Sequence, residues 1–359
     1  MRFRALYAFL SAAVALTFAL TSSSVRASAV VIPTPSAMPD DALPAPTIFG
    51  AFNNLVAIDP ATGEIEAIGP TLPFAVTAML ANPHHARLYM FERSGSRIAE
   101  VSTRTLQELS VVSVPQGLAE NLGSGWLATS PSGNRIYVVD LAQDGIDVIS
   151  THLLSVVAFI PMGDFVGGVA VGDFGNRVYV SLPHQNRIAV VDPSTNEVIS
   201  SFRGGLCPKG SQPEKCEIGA LTIADGRYLL GASPRTGYVV GIDTTDNKVV
   251  GMTDVVFFAC PFATFVGVNA AADQAALFTE GCERDGTAFV EARPPFDRVF
   301  YSFPSQKFDG SFTVAFDQTG TIGYAAGDQR FDHGELLQFT SQSFRFIPIG
   351  APTSLVLAP

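Results

Sequence analysis

The chain has 359 residues, of which 47% are hydrophobic and only 15% are charged, and its formal net charge at pH 7 is −11. So large an apolar share excludes a disordered polypeptide and predicts an extensive buried core. The acidic balance argues against nucleic acid and anionic lipid as partners, because binding to phosphate groups requires a basic surface.

The N-terminus has the pattern of a secretory signal peptide. Arg2 and Arg4 precede an apolar run, Ala5–Leu20, and Ala27-Ser28-Ala29 has the small residues that a signal peptidase recognises. Val25-Arg26-Ala27 is an alternative cleavage site. The apolar run is shorter than the ~20 residues that span a bilayer, so we expect cleavage rather than membrane anchoring.

Cleavage after residue 29 changes the formal charge to −14, because the signal peptide (1–29) contains three arginines and no acidic residue. Residues 30–46 are rich in proline and lack periodicity, which predicts an extended linker before a single domain over residues 47–359. No later segment of the sequence has the length and apolarity of a membrane span. We therefore expect a secreted or periplasmic protein whose mature chain is not inserted in a membrane.

One motif recurs along the remainder of the chain. It is clearest in Asn82–Met90, Ser130–Val139 and Gly172–Ser181, and weaker copies begin at Ala224, Ala272 and Asp317. Equivalent turn positions, 85, 133, 175, 226, 274 and 320, are 42 to 51 residues apart. A period in the forties is typical of one four-stranded β-blade per repeat.

Each repeat predicts four strands, named A to D from the first to the last. Strand A, such as Trp126–Thr129, is followed by a turn whose glycine can adopt a positive φ angle, as at Gly133, Gly175 and Gly226. The alternating strand B, a polar loop and strand C come next. A turn that begins with aspartate then leads to strand D, and Asp59, Asp192 and Asp243 fit Asx turns there better than ligand sites.

The number of repeats predicts a closed ring. Six full repeats begin near residues 75, 126, 168, 220, 267 and 311. The first segment, Thr47–Ile68, has only three strands, and Thr353–Ala358 is a lone strand after the sixth repeat. If that C-terminal strand completes the first blade, the fold is an all-β, seven-bladed β-propeller with no open edge. A β-sandwich does not need this period and β-helix coils are much shorter, so the propeller is the better interpretation.

The repeat resembles that of the YVTN-type β-propeller family, which runs S-P-D-G-x-x-[IV]-Y-V and then I-D-x-x-[TS]-x-x-V. Ser130–Val138 matches it, and so does Gly172–Val180 with its continuation Val190–Val198. The resemblance extends over nearly all of the chain after residue 46, but Ala276-Leu-Phe and Gly323-Tyr-Ala depart from the tyrosine-valine core. It implies a propeller outside the cytoplasm and no single activity, since many functions share this scaffold.

Irregular sequence is concentrated on one side of the predicted propeller. The D–A and B–C loops emerge on that side, which we name the loop face, and the short A–B and C–D turns emerge on the opposite turn face. Long loops on one face of a repeat array commonly mark the binding side. We therefore expect the loop face to carry any ligand or partner.

The four cysteines, Cys207, Cys216, Cys260 and Cys282, are expected to form disulfides in an exported protein. Four cysteines allow three pairings, and the predicted loops favour Cys207–Cys216 within one D–A loop and Cys260–Cys282 between a D–A and a B–C loop. A zinc site is the alternative, but the spacings lack a C-x-x-C pair and no histidine is close in sequence.

Five oxygen-bearing side chains come just before inner strands on the loop face: Glu120, Asp164, Glu217, Asn269 and Asp309. They could converge at the mouth of the central channel on a polar ligand or a divalent cation, calcium or magnesium, as in metal-dependent propeller lactonases. Solvated loop acids on a strongly acidic protein are the simpler interpretation.

A second group of loop-face candidates could supply an acid–base pair: His184, Arg235, Glu283, Arg284, Asp328 and His333. Exposed polar loop residues are the simpler interpretation here as well. The sequence contains no nucleophile elbow, zinc-protease motif or phosphate-binding glycine loop. A single tryptophan also argues against a quinoprotein-like dehydrogenase.

These observations favour an extracytoplasmic binding or scaffold protein over an enzyme. Its loop face would hold a small polar ligand or a protein partner. The alternative is a metal-dependent, lactonase-like hydrolase or lyase with its site at the channel mouth. No cofactor other than a divalent cation is indicated.

Overall fold

The residues that a computed structural model describes are 46–92, 96–114, 126–203, 217–233, 237–255, 262–268, 273–280, 286–304, 314–326, 336–340, 344–347 and 354–358. These residues form seven antiparallel sheets of four strands each. Within these ranges, no helix has the length and apolarity needed to cross a membrane. The expectation of an all-β, seven-bladed propeller is confirmed.

The first three blades contain all of the described strands up to residue 161. These strands are β1 (Thr47–Ala51), β2 (Asn54–Ile58), β3 (Ile65–Thr71), β4 (Val76–Ala81), β5 (Arg87–Glu92), β6 (Arg97–Ser102), β7 (Glu108–Ser113), β8 (Leu127–Thr129), β9 (Arg135–Asp140), β10 (Gly145–Ser150) and β11 (Ser155–Pro161). Blade one consists of β1–β3 and the last strand of the chain, blade two of β4–β7, and blade three of β8–β11.

Blades four to seven follow in the same order of strands. Their strands are β12 (Gly168–Gly172), β13 (Arg177–Leu182), β14 (Arg187–Asp192), β15 (Glu197–Phe202), β16 (Leu221–Ala224), β17 (Tyr228–Ser233), β18 (Tyr238–Asp243), β19 (Lys248–Asp254), β20 (Phe262–Val268), β21 (Gln274–Glu280), β22 (Gly286–Glu291), β23 (Val299–Pro304), β24 (Val314–Phe316), β25 (Gly323–Ala326), β26 (Leu336–Phe339) and β27 (Phe344–Ile347). The last strand is β28 (Ser354–Ala358), and two short 3₁₀ turns, Asp173–Gly175 and Pro183–Gln185, lie in blade four.

The C-terminal strand closes the ring as the sequence predicts. In the antiparallel pairing of β28 with β1, Leu355 lies opposite Gly50 and Val356 opposite Phe49. Leu355 belongs to a core cluster with Ala315 of blade seven, and Ala358 to another with residues of blade two. One strand from the end of the chain therefore completes the first blade and packs against the blades on both sides, so that both edges of β1 are paired.

The hydrophobic core is divided among the interfaces between neighbouring blades. On β10, Ile146 and Val148 join a cluster with residues of blade four, whereas Ile149, beyond a register shift, joins a cluster with residues of blade two. Because both faces of the middle strands are covered, these strands are almost continuously apolar in sequence. Strand β15, an outer strand, is largely exposed.

Two tyrosines of the repeat, Tyr179 and Tyr324, connect their blades to the next blade. The Tyr179 hydroxyl donates to the carbonyl oxygen of Thr244 (3.3 Å) in blade five, and the Tyr324 hydroxyl donates to that of Pro60 (3.2 Å) in blade one. Tyr324 lies opposite Ala315 of the inner strand in the same way as Tyr179 lies opposite Ala170. Gly323-Tyr-Ala thus departs from the tyrosine-valine core only in the residues beside the tyrosine, because Tyr324 keeps the position of Tyr179.

The predicted turn chemistry is confirmed in the described turns. Gly133, Gly175 and Gly226 have φ angles of +69°, +94° and +63°. Oδ1 of Asp59 accepts the N–H of Ala61 (2.7 Å), two residues further on. Oδ1 of Asp192 (2.8 Å) and Oδ1 of Asp243 (2.9 Å) accept the N–H at the same spacing. These aspartates have structural roles in their own turns.

The predicted start of the sixth blade is displaced. Strand β20 begins at Phe262 instead of near residue 267, so residues 262–266, which the predicted start left in the preceding D–A loop, are strand. A register shift between Phe265 and Gly267 interrupts its pairing with β21. The sequence obscured this boundary because a run of phenylalanine, cysteine and proline precedes the strand without a turn signal.

Candidate functional site

Three of the predicted site residues, Asp164, His184 and Glu217, are among the described residues. The other candidates lie outside them: Glu120, Asn269, Asp309, Arg235, Glu283, Arg284, Asp328, His333 and the four cysteines, Cys207, Cys216, Cys260 and Cys282. The geometry of the candidate site is accordingly that of blades four and five on the loop face.

Asp164 and His184 are brought together from two different loops of the loop face. Asp164 lies in the D–A loop between β11 and β12, and His184 lies in the B–C turn between β13 and β14. Oδ1 of Asp164 is 3.0 Å from Nδ1 of His184. The His184 side chain is 62% exposed and that of Asp164 only 16%, so the histidine faces solvent on a carboxylate support.

Local sequence explains both loop conformations. Pro183 begins the 3₁₀ turn that carries His184, and the turn ends at Asn186, which has a φ of +47° and donates its N–H to the carbonyl of Pro183 (2.9 Å). On the other loop, Gly163 has a φ of +68°, a region that favours glycine. The next residue, Asp164, accepts the N–H of Phe165 on Oδ1 (2.7 Å).

Phe165 adds an apolar surface beside the histidine. Its ring centroid is 5.5 Å from that of His184, with an angle of 31° between the planes. Phe165 is 38% exposed. The site therefore presents two neighbouring rings, one apolar and one polar, and a carboxylate.

The protonation of the pair follows from its hydrogen bonds. Burial raises the pKa of Asp164, but hydrogen bonds from the Phe165 N–H, His184 and Gln185 outweigh that effect and lower it below its ordinary value. The carboxylate is therefore ionised at neutral pH and can only accept, so Nδ1 of His184 carries the proton that it donates. In neutral His184, Nε2 is then an acceptor or a base.

Glu217 occupies the position in blade five that Asp164 has in blade four. Each lies four residues before the inner strand of its blade, β16 and β12 respectively. The two segments are in close contact, because a Cβ atom added to Gly167 would lie 2.9 Å from Cα of Gly219 and 2.7 Å from Cγ of Pro183. Only glycine permits this approach, which brings the loops of blades four and five together.

A second aromatic, cationic and acidic group lies on the loop face between blades one and two, where the sequence analysis found no candidate. The guanidinium of Arg97 lies 5.0 Å from the ring centroid of Phe74, which precedes β4. Nε of Arg97 also donates to Oε2 of Glu92 (3.0 Å). The sequence contains a signal for the Glu92–Arg97 pair, because an acid ends strand B and a base begins strand C a few residues later.

The predicted convergence of oxygen ligands has only limited support. In the described part of the chain, no group of three or more histidine, cysteine, aspartate or glutamate side chains could hold a metal ion. The Asp164 carboxylate is engaged with His184 and with the backbone of its own loop. With Glu120, Asn269 and Asp309 outside the described residues, a channel-mouth cation remains a prediction.

No protein-family model matches the chain, and a search of curated proteins gives no match. Solved structures share its fold. A protein of Bacteroides fragilis, provisionally described as a 6-phosphogluconolactonase, is 12% identical over 91% of this chain and 100% of its own, with a TM-score of 0.65. A Bacteroides uniformis protein with the same provisional description is 11% identical over 87% and 98%, with a TM-score of 0.64.

A third similar structure is the β-propeller domain of Cps50 (Swd1) from Myceliophteria thermophila, 14% identical over 78% of this chain and 88% of that one, with a TM-score of 0.57. At these identities the likeness shows the fold alone. It agrees with the seven four-stranded sheets of this chain. The β-propeller class supports many unrelated functions, so the activity has to be argued from the site.

Proposed function

We propose that this chain is an extracytoplasmic β-propeller that binds a small polar ligand or a protein partner on its loop face. The observation that carries the proposal is the Asp164–His184 pair beside the exposed ring of Phe165. It joins a D–A loop to a B–C loop on the side where irregular sequence is concentrated.

The site has the chemistry of a binding surface. Nε2 of His184 accepts a hydrogen bond from a hydroxyl or amide group of a ligand, while the Asp164 carboxylate keeps the imidazole oriented. The adjacent ring of Phe165 contacts the apolar side of the same ligand. A sugar ring, a lactone or a polar peptide side chain has this combination of surfaces.

The extracytoplasmic part of the proposal is supported by the N-terminal sequence, by the even number of cysteines and by the resemblance to YVTN-type repeats. Residues 1–29 have the three regions of a signal peptide. N-terminal sequencing of the exported protein tests this part directly. The expected first residue is Val30, or Ser28 if the alternative site is cleaved, and a start at Met1 would contradict it.

The binding role is tested with the mature protein, residues 30–359. Its thermal midpoint is measured with monosaccharides, sugar lactones and calcium chloride, because a ligand that binds the folded state alone raises the midpoint. Hydrogen exchange then locates the site of each active compound. Protection of residues 162–167 and 183–186 is expected, whereas protection confined to turn-face segments, such as 151–154 and 193–196, would contradict the proposal.

The second candidate function is a metal-dependent lactonase at the channel mouth. It is favoured by two similar folds that are provisionally described as 6-phosphogluconolactonases, and by acidic residues at equivalent positions before β12 and β16. Metal analysis and a 6-phosphogluconolactone hydrolysis assay separate it from simple binding. Bound divalent metal with activity that Glu217→Gln removes would favour the enzyme, and the absence of both would favour the binding protein.

A further inference from the structure

Asp147 is a buried carboxylate in the middle of β10. The residue is 1% exposed, and neither Oδ1 nor Oδ2 has a hydrogen-bond partner among the residues that the structure describes. An ionised carboxylate without a partner is very unfavourable in a protein interior, so such a group either carries a proton or neutralises a cation.

The register of blade three shows which interface Asp147 faces. It lies opposite Val138 on β9 and opposite Phe159 on β11. Residues directly opposite each other in antiparallel strands point to the same side of the sheet. Val138 belongs to the core cluster shared with Phe91 and Ile98 of blade two, so Asp147 points into the interface between blades two and three.

Asp140 is a second buried acid on the same side of the same blade. It lies two residues after Val138 on β9, and it is also 1% exposed. Its Oδ1 accepts the N–H groups of Ala142 (2.8 Å) and Gln143 (3.1 Å), and its Oδ2 accepts the side-chain amide of Gln143 (2.6 Å). Three donors therefore bind the Asp140 carboxyl group at the base of the loop, residues 141–144, that joins β9 to β10.

Among the described residues on the side of blade two that faces blade three, Arg87 and Glu100 form an ion pair (3.3 Å), and the Tyr89 hydroxyl accepts a bond from Asn82 (3.2 Å). His152 of blade three acts electrostatically on Glu100. Phe159, directly opposite Asp147, covers Gly145, since a Cβ atom on that glycine would lie 2.3 Å from Cζ of its ring.

We propose that Asp147 is a proton-controlled group in the interface between blades two and three, where it holds a proton beside a second buried acid, Asp140, on the same side of blade three. With the proton bound, Asp147 is neutral and adds no charge to an interface that already contains the hydrogen-bonded Asp140 carboxyl group and the Arg87–Glu100 ion pair. Loss of the proton places an unpartnered charge in this buried interface and weakens the packing of the two blades. The inference is independent of the proposed ligand site in blade four.

The sign of the pH dependence follows from the two states of Asp147. Burial, with a smaller contribution from the charge of Asp140, raises the pKa of Asp147 from 3.8 to about 6. The folded protein therefore binds this proton more tightly than the unfolded chain does. Stability from this group is full below pH ~4, falls as the pH rises through ~6, and stays reduced above that.

The test uses Asp147→Asn in the mature protein, because asparagine has nearly the same shape and no charge. We expect the thermal midpoint of the wild type to fall by several degrees between pH ~4 and ~7, and the variant to lose most of that fall and to exceed the wild type at pH ~7. Asp140→Asn is the matched control, and it should lower the midpoint at every pH because it weakens the turn at 141–144. A wild-type pH slope that Asp147→Asn leaves unchanged would overturn the proposal.

Two further measurements cover the remaining outcomes. Carbon-13 NMR of aspartate-labelled wild-type protein should show one carboxyl group that titrates near pH 6. A spectrum in which every aspartate titrates below pH ~5 would contradict the proposal. This measurement does not depend on whether the variant folds. Calcium and sodium chloride are added separately at pH ~7. A cation that raises the wild-type midpoint, but not that of Asp147→Asn, would identify a cation site in place of the proton.

Discussion

Nδ1 of His184 and Oδ1 of Asp164 lie 3.0 Å apart, and this hydrogen bond joins the D–A and B–C loops of blade four. The bond determines which imidazole nitrogen carries the proton and leaves Nε2 for a ligand. The arrangement places the imidazole beside the partly exposed ring of Phe165 on the loop face, where we propose that a ligand or partner binds.

Replacement of Asp164 by alanine should loosen the two loops without unfolding the domain. The change removes the bonds to His184 and to the Phe165 N–H, but the pair is at the surface and contributes little to global stability. Hydrogen exchange is expected to increase at residues 162–167 and 183–186. Asp246→Ala, which removes an exposed pair with Lys248 on the turn face, is the control and should leave exchange in both loops unchanged.

The Asp164 bond should also have a defined pH dependence. Hydrogen bonds outweigh burial and hold the pKa of this carboxyl below its usual value. The stabilising contribution is therefore present above pH ~4 and is lost as the pH falls through the lower, folded-state pKa. Hydrogen exchange in the two loops should not increase between pH ~7 and ~5. An increase in that range that occurs only when Asp164 is present would contradict this assignment.

Tyrosines that bond to the next blade should contribute more to stability than a tyrosine of the repeat that does not. Tyr179→Phe and Tyr324→Phe remove hydroxyls that donate to the next blade, so each should lower the free energy of unfolding by about 1 kcal/mol. Tyr137 is the matched control, because its buried hydroxyl has no hydrogen-bond partner and Tyr137→Phe should be neutral or stabilising. Urea denaturation measures all three, and equal losses would show that the interblade bonds are not the cause.

The Arg227–Asp243 pair should be worth more than a neighbouring pair in the same turn. Two guanidinium nitrogens of Arg227 bind Asp243, at 2.6 Å (Nη2 to Oδ2) and 3.2 Å (Nε to Oδ2), and the Asp243 side chain is only 12% exposed. Asp243→Asn should lower the free energy of unfolding by about 1–3 kcal/mol. Asp246→Asn breaks the exposed pair with Lys248 and should cost ~0.5 kcal/mol or less, and the reverse order would contradict the account.

Peptide mapping of the exported protein without reduction tests the cysteine prediction. We expect disulfide-linked peptides for Cys207–Cys216 and Cys260–Cys282, each stabilising the protein by ~2–4 kcal/mol through its constraint on the unfolded chain. A different pairing would require another arrangement of the loops that carry them. Free thiols at all four positions would contradict the predicted oxidising compartment.

The ring could be predicted from the sequence, and the details of the site could not. Closure by β28 followed from a repeat count that left three strands at one end and one strand at the other. The position of Asp164 and His184 on the loop face could also be predicted, from the order of the strands. Their hydrogen bond did not, because the distance between two loops depends on the tilt of the strands and on the conformations at Gly163 and Pro183.

Other features depended on contacts between blades that a single repeat does not encode. Asp147 follows an isoleucine in an alternating strand, a pattern that predicts an exposed aspartate side chain. It is buried because blade two covers that side. The segment Gly323-Tyr-Ala lacks the valine of the repeat, yet Tyr324 lies opposite Ala315 and makes the interblade bond that the sequence alone did not reveal.

A matched pair of histidine variants tests the central claim, that the loop face is the binding face, most directly. His184 lies on the loop face, and His152 is an exposed histidine in a C–D turn on the opposite face. For the compound that stabilises the mature protein most, isothermal titration calorimetry should show His184→Ala to weaken binding at least about tenfold and His152→Ala to leave it within about twofold. Equal effects of the two variants, or a larger effect of His152→Ala, would contradict the account.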